Sequence, residues 1–342
     1  MKHLNSFVSY CRQRNVKLTA KAYLVDALGA MALGLFASLL MGTIFQTLGQ
    51  RLDLPLFVQV GDYGRQAMGA AIAVAVASRL GASGLLLFGS VAVGMVGAQQ
   101  GGPVGAYLAA VAAVEVGKLV QGQTKVDILL TPATCLFVGT GVALLLGSPL
   151  SELMLLLGRI VQQATLLQPL LMGSLVAVIV GMLLTLPVSS AAICIAIGLG
   201  GLAGGAATAG CCAQMVGFAV MSFPDNGWGG LAAQGLGTSM LQMPNILRKP
   251  LLWLPPILTS ALTGPLSTVV FELENIPIGS GMGTCGLVGP IGIYTAMPEG
   301  GWSLWMGLFL ICFLLPTLLC WGMGAYMRRK GWIRPGDLRI AH

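Results

Sequence analysis

Residues 275–292, NIPIGSGMGTCGLVGPIG, decide how this chain can fold. The stretch sets glycines at short intervals, with two prolines, in an apolar segment flanked by apolar runs of spanning length. Glycine loses the most backbone freedom on ordering, and proline removes a donor and clashes with the preceding turn. Neither a straight helix nor a strand is expected here. Irregular backbone survives at membrane depth only where protein buries it or where it lines a wet cavity. Further glycine-rich breaks lie earlier: GAQQGGPVGA from Gly97, GLGGLAGGAATAG from Gly198 and NGWGGLAAQGLG from Asn226. A chain that interrupts its own membrane helices this often is expected to build a passage or binding site for a polar solute.

The composition agrees. Of 342 residues, 56% are hydrophobic and 8% charged, and the mean hydropathy is +0.86, whereas a soluble domain carries roughly 25% charged residues. The apolar segments are too long for barrel strands, so the expected class is an all-α polytopic membrane protein. Its 49 glycines suit close helix packing in lipid. The formal charge of +7 sits largely in two tails and is not a nucleic-acid signal. Lys2, Arg12, Arg14, Lys17 and Lys21 precede the first apolar run, and Arg328, Arg329, Lys330, Arg334 and Arg339 follow the last. The positive-inside rule then predicts both termini in the cytoplasm and an even number of crossings.

Apolar segments are expected at 24–48, 67–80, 84–97, 104–120, 128–146, 169–186, 190–202, 206–221, 231–241, 251–271 and 304–327. Some are too short to cross at about 1.5 Å per residue and read as half-helices. SELMLLLGRIVQQATLLQ, from Ser151, reads as an interfacial or connecting piece. The expected organisation is a cytoplasmic tail over 1–22, a membrane domain over 23–327 and a second cytoplasmic tail over 328–342. The membrane domain would hold about ten segments, with broken or re-entrant helices meeting near the midplane. MGAAIAVAVA from Met68 is similar to MGSLVAVIVG from Met172, and KVDILLTPATCLFVGTG from Lys125 to KPLLWLPPILTSALTG from Lys249. The matched order predicts an internal duplication, 23–150 and 168–300, most naturally as an inverted repeat.

Histidine decides by absence: only His3 and His342 occur, which argues against a histidine relay, triad or metal site inside the membrane. The eight cysteines form no CxxC pair, and Cys211 and Cys212 read as small packing residues. No GxxxxGK[ST] stretch is present. No metal, cofactor or enzymatic activity is expected.

Of the ionisable groups, Asp26 reads either as a proton or cation ligand or as an interfacial helix-start residue. Glu115 and Lys118 share a helix face and read as a gate or coupling-ion relay, or as an ion pair near a helix end. Lys125 and Asp127 read as interfacial, and Glu272 and Glu274 as a cation lure or a wet loop. The uncharged polar groups in the breaks are Gln99, Gln100, Gln214, Gln234, Asn245, Asn275, Ser280 and Thr284. Amides and hydroxyls can replace a solute's water without fixing a charge in lipid, so these are the expected solute ligands. The alternative for each is a helix–helix hydrogen bond.

KAYLVDALGAMALGLF, GGPVGAYLAAVAAVEVGKLV, TKVDILLTP, AGCCAQMVGFA, GGLAAQGLGTSMLQMPNI and NIPIGSGMGTCGLVG together resemble the bacterial phosphotransferase-system enzyme IIC-like proteins of the second type. That group includes membrane proteins named as toxin-gene regulators. The resemblance runs from Lys17 to Pro298. It implies a bacterial inner-membrane sugar permease, and by analogy with sugar permeases a homodimer. The phosphorylated histidine and cysteine sites of a working system belong to companion domains, and the glutamate motif of the glucose-type permeases is not present. The expectation is a multi-pass transporter moving a small polar solute by alternating access, with Glu115 as first candidate for coupling. The alternatives are a membrane sensor, or a permease subunit acting with separate phosphotransferase partners.

Overall fold

The computed structural model describes residues 13, 14, 16 and 19–340, without the side chain of Arg51. Lys2, Arg12, Lys17, His3 and His342 lie outside the described residues. Among the described residues the chain is helical, and its one isolated bridge pairs Gly201 with Asn275. Among the described residues, five continuous helical stretches are long and apolar enough, by length and composition, to cross a membrane: Ala22–Gln50, Leu85–Val120, Asp127–Ala164, Gly201–Met221 and Gly301–Arg329. Met68–Arg79, Pro169–Thr185 and Cys285–Ala296 are shorter apolar helices. They form two compact units, one running to Gly42 and resuming over Gln59–Glu152, the other taking Thr43–Val58 and the chain from Leu153. The piece from Ser151, expected at an interface or as a connector, continues the Asp127–Ala164 helix through Pro149, and the unit boundary falls within it.

In the first unit the Leu85–Val120 span is two antiparallel arms. Gly101 (φ −145°, ψ 22°) and Gly102 (φ 60°, ψ −149°) leave helical geometry, and Pro103 starts the second arm. The Gly102 conformation is essentially reserved for glycine, and proline suits a first helical turn. The backbone of Gly97 then lies against Gly105 and Ala106, and Leu86 against Gly117, as a hairpin requires. The break expected between residues 97 and 104 is therefore a helical hairpin with Gln99 and Gln100 at its tip. Gly69 and Gly94 each abut the other's carbonyl where the Met68–Arg79 helix crosses the first arm, a backbone-to-backbone approach that side chains would forbid. Gly34 allows the same approach of the first span to Ala71 and Ile72. Near the base of the hairpin, Arg79 meets Asp26, and Arg14 donates to the Gln121 carbonyl. The Asp127 carboxylate accepts from the Gly122 N–H at 2.6 Å and from the Thr131 hydroxyl at 2.7 Å, tying the loop after the hairpin to the start of the next helix.

The second unit is built around Gly201–Met221, whose apolar window is 94% buried. Its sequence, GLAGGAATAGCCAQMVGFAVM, presents hardly a side chain larger than alanine in its first half. Ala177 of Pro169–Thr185 abuts Gly210, Ser260 of Leu254–Pro265 donates to the Gly210 carbonyl, and Cys320 of the last span packs on Gly217. Along the remaining side runs the irregular stretch that the sequence singled out. The Leu273 carbonyl lies on Gly205, Asn275 and Ser280 on Gly204, and Gly283 on Cys211 and Cys212. The expected burial of non-helical backbone by protein is thus met by one helix that carries small residues where that backbone approaches it. The last span carries exposed Trp302 and Trp305 at one end and Trp321 and Tyr326 towards the other, with Trp332 just beyond it. Trp302 and Trp321 stand about 28 Å apart at 1.5 Å per residue, close to the hydrocarbon thickness of about 30 Å.

A methyl group at Gly205 would fall on the Leu273 carbonyl, whereas one at Gly322 meets open space. Gly205→Ala should cost about 1–3 kcal/mol through overpacking and lower the melting temperature in detergent, while Gly322→Ala leaves it unchanged.

Candidate solute-binding site

The polar residues of the second unit form three groups along the Gly201–Met221 helix. Near its start, Asn275 donates to Thr208 at 2.6 Å and to the Gly289 carbonyl at 3.1 Å, and its Oδ1 accepts from the Ile276 N–H at 2.7 Å. Ser280 donates to the carbonyls of Leu199 (2.7 Å) and Ile276 (2.9 Å). Farther along the helix, beside Met215, Thr284 donates to the Gly235 carbonyl. Each is buried, and each ties irregular backbone in place.

A second group lies at the Met221 end. Gln234 donates to Ser222 Oγ at 2.7 Å and to the Gly230 carbonyl at 3.0 Å, and accepts from Gln242 at 2.8 Å. Gln242 also donates to the Leu338 carbonyl, and Asn245 donates to Gln242 and to the Arg339 carbonyl. Asn226 donates to the Leu338 carbonyl and accepts from the Ile340 N–H. The segment after the last span therefore folds back onto this cluster, burying Ile333, Leu338 and Ile340. Two ion pairs flank it, Lys249–Asp337 at 2.6 Å and Arg328–Asp225 at 3.0 Å.

Between these groups sits Gln214, fully buried two turns before Met221. Its Oε1 accepts from Trp253 Nε1 at 2.9 Å and from Thr185 at 3.2 Å, and Thr185 in turn shares a 2.8 Å hydrogen bond with Ser239. An indole N–H only donates, so the atom facing Trp253 must be the amide oxygen. That leaves Nε2 aimed away from Trp253, with no hydrogen-bond partner among the described residues. A buried amide donor without a partner costs about 1–3 kcal/mol. Of the expected ligands in this unit, Gln214 alone keeps an unspent donor.

The first unit holds the other candidates. Gln99 and Gln100 are exposed at the hairpin tip, where Gln100 packs beside Gly147. Glu115 and Lys118 form a 3.3 Å ion pair, their side chains only 13% and 6% exposed. Asp26 pairs with Arg79 at 3.3 Å in a more open setting. Glu272 and Glu274 are exposed, and Cys211 and Cys212 are buried free thiols. No cluster among the described residues could hold a metal ion.

Sequence reasoning passed over Thr185, Ser239, Trp253, Asn226 and Gln242. Gln242 and Asn226 carried the same signal as their neighbours, an amide inside a proline- or glycine-broken segment. Thr185 and Trp253 carried none, because only the tertiary crossing brings them to Gln214.

The family model for the phosphotransferase system EIIC matches residues 25–340. The chain belongs to the phosphotransferase system EIIC family. Comparison with curated proteins and with solved structures gave no match. Membership, together with the apolar spans, sets this EIIC protein among the membrane permease components of bacterial sugar phosphotransferase systems, which are not catalytic in themselves.

Partial burial of Asp337 would raise its pKa. The Lys249 hydrogen bond, the Arg334 N–H at 2.8 Å and the charges of Lys249 and Arg334 outweigh that and hold the carboxyl below its ordinary 3.8. A carboxyl lowered on folding contributes stability above its unfolded pKa and loses it as the pH falls through the lowered value. Asp337→Asn should therefore lower the melting temperature at neutral pH, by an amount equivalent to under about 1 kcal/mol for a partly exposed pair. As the pH falls below 3.8 and through the lowered value, the difference from wild type should shrink.

Proposed function

We propose that this EIIC protein carries a small, hydroxylated, sugar-like solute across the bacterial inner membrane by alternating access, and that Gln214 is its principal ligand. The unspent Nε2 of Gln214 carries this reading. Thr185 and Ser239 beside it offer hydroxyls that can donate or accept, and Trp253 offers an apolar face, a set suited to a neutral polyol more than to an anion. Asn275, Ser280 and Thr284 shape the wall by pinning the broken backbone. Gln99 and Gln100 are kept as ligands in the first unit, because exposed amides at a hairpin tip suit a wet passage. Gln234 and Asn245 act as supports in this reading, since internal bonds use their amides.

The buried Glu115–Lys118 pair is the proposed coupling element, because protonating or neutralising one partner strands the other charge. Both termini are read as cytoplasmic: Arg328, Arg329, Lys330 and Arg334 crowd one end of the last span, beyond its Trp belt. The unit boundary at residues 152–153 supports the duplicated reading of 23–150 and 168–300, with about ten segments once half-helices and hairpin arms are counted separately. Family membership favours a second reading, in which the permease acts only with separate phosphotransferase subunits. A homodimer is retained by analogy with sugar permeases.

The test is uptake of a panel of radiolabelled sugars into proteoliposomes containing only this protein. Gradient-driven accumulation supports autonomous transport, and flux that needs phosphorylated partner subunits selects the second reading. Gln214→Leu should abolish solute binding; it removes the unpaired Nε2 but also the acceptor of Trp253 Nε1 and Thr185, so the two effects oppose and the melting temperature should fall by the equivalent of no more than about 1–3 kcal/mol. Unchanged affinity would take Gln214 out of the site. Glu115→Gln should keep binding but blunt gradient-driven uptake, and normal uptake across pH would clear it of coupling.

A further inference from the structure

The amides around residues 226–245 grip a stretch of the chain's own backbone as they would a bound peptide. The Leu338 carbonyl receives both Asn226 and Gln242, the Arg339 carbonyl receives Asn245, and the Ile340 N–H donates to Asn226. Leu338 is fully buried and Ile340 5% exposed, so the segment presents two apolar anchors between its main-chain bonds. Residues 333–340 belong to no helix, and side chains hold them rather than a regular ladder. At the rim, Lys249 and Asp337 form a half-exposed ion pair, and Asp225 accepts from the Gly336 N–H at 3.0 Å. The polar contacts are individually weak and reversible, and the burial of Ile333 and Leu338 against Phe218, Ile246 and Leu252 supplies the larger share of the hold.

What the segment holds is not an inert surface. Gln242 donates to Leu338 and to Gln234 with the same amide. Gln234 adjoins Gly235, whose carbonyl receives Thr284 from the irregular stretch. Ser239, between Gln234 and Gln242, reaches Thr185 and through it Gln214. The backbone here is not regular α-helix: Gly227 lies at φ 59° and residues Ala233–Gly237 form a π-helical turn. Three sets of hydrogen bonds, at Gln234 and Gln242, at Ser239, and at Gly235, are therefore tied to one another through the 234–242 backbone, which links the C-terminal segment to the solute cluster and to the irregular stretch.

We propose that residues 333–340 are a displaceable strap that occupies a peptide-like site in cis and closes this end of the second unit. The strap holds the 233–245 turn over the Gln214 cluster, and its release opens that cluster to the aqueous phase. The mechanism rests on the permease reading, because it assigns a gate to that reading's binding site. Coupling of this kind requires that the bound strap favour the closed turn, and its removal must then raise the open population.

Labelling of Ser239→Cys by a membrane-impermeant maleimide tests it, in the purified full chain with Cys11→Ser. The other cysteines are buried. With the strap intact the label should enter slowly. Asp337→Asn should speed it several-fold, and truncation after Trp332 by about tenfold or more. A synthetic peptide of residues 333–340, added to the truncated protein, should slow it again. Unchanged labelling in a folded truncated protein, or a peptide that fails to restore protection, overturns the proposal. Should the truncated protein not fold, wild-type labelling in Asp337→Asn overturns it instead. The sugar-uptake panel judges the permease reading separately, since labelling needs no solute.

Discussion

The structure depends on one helix that carries small residues wherever a neighbour's backbone must approach it. Gly201–Met221 is packed on every side, and at Gly204, Gly205, Gly210 and Gly217 a neighbour comes close enough to occupy the space of a β-carbon. Lipid tails are as apolar as leucine, so helices in a bilayer gain little by burying apolar surface and gain by close van der Waals approach. Small residues supply that approach. They also bring the irregular stretch from Leu273 to Gly289 against protein rather than lipid, which is the condition for non-helical backbone at this depth. Remove the glycines and the broken segment would lose both its seat and its shelter.

Burial on these terms forces strict polar accounting. Asn275 makes three hydrogen bonds, Ser280 bonds carbonyls from two segments, and Gln234, Gln242 and Asn245 bond one another and the folded-back C-terminal segment. Against that economy, Gln214 stands out because one of its two amide atoms is committed and the other is not. In a low-dielectric interior an unpaired donor is costly, and natural interiors keep few. Binding sites are where such an expense is recovered.

Much of this was legible in the sequence. Composition established a helical membrane protein, and two glycine-rich stretches marked the hairpin at Gly101–Gly102 and the irregular backbone after Asn275; GLGGLAGGAATAG, expected as a further break, is instead helical from Gly201, because its glycines serve close packing on all sides rather than a turn. The first arm was expected over 84–97 and the second over 104–120, which agrees with a turn whose second arm starts at Pro103. The role of each amide was not legible. Gln214 and Gln234 look alike in sequence, each in a small-residue run, and differ only in what crosses them: Trp253 and Thr185 in one case, Ser222, Gly230 and Gln242 in the other. Likewise, a basic segment after a final span reads as a tail. Its docking depends on Leu338 and on carbonyls that any sequence would carry.

The hairpin of the first unit bears on how the protein enters the bilayer. Its arms measure about 24 and 27 Å at 1.5 Å per residue, each short of the hydrocarbon thickness of about 30 Å. Neither arm alone is an ideal span, and the second opens with a proline and closes with Glu115 and Lys118. Joined through two glycines they bury each other's backbone at Gly97–Gly105 and Leu86–Gly117. Contacts this local form early, so the pair would leave the insertion machinery as a single folded element, its charged end already neutralised by the ion pair within it.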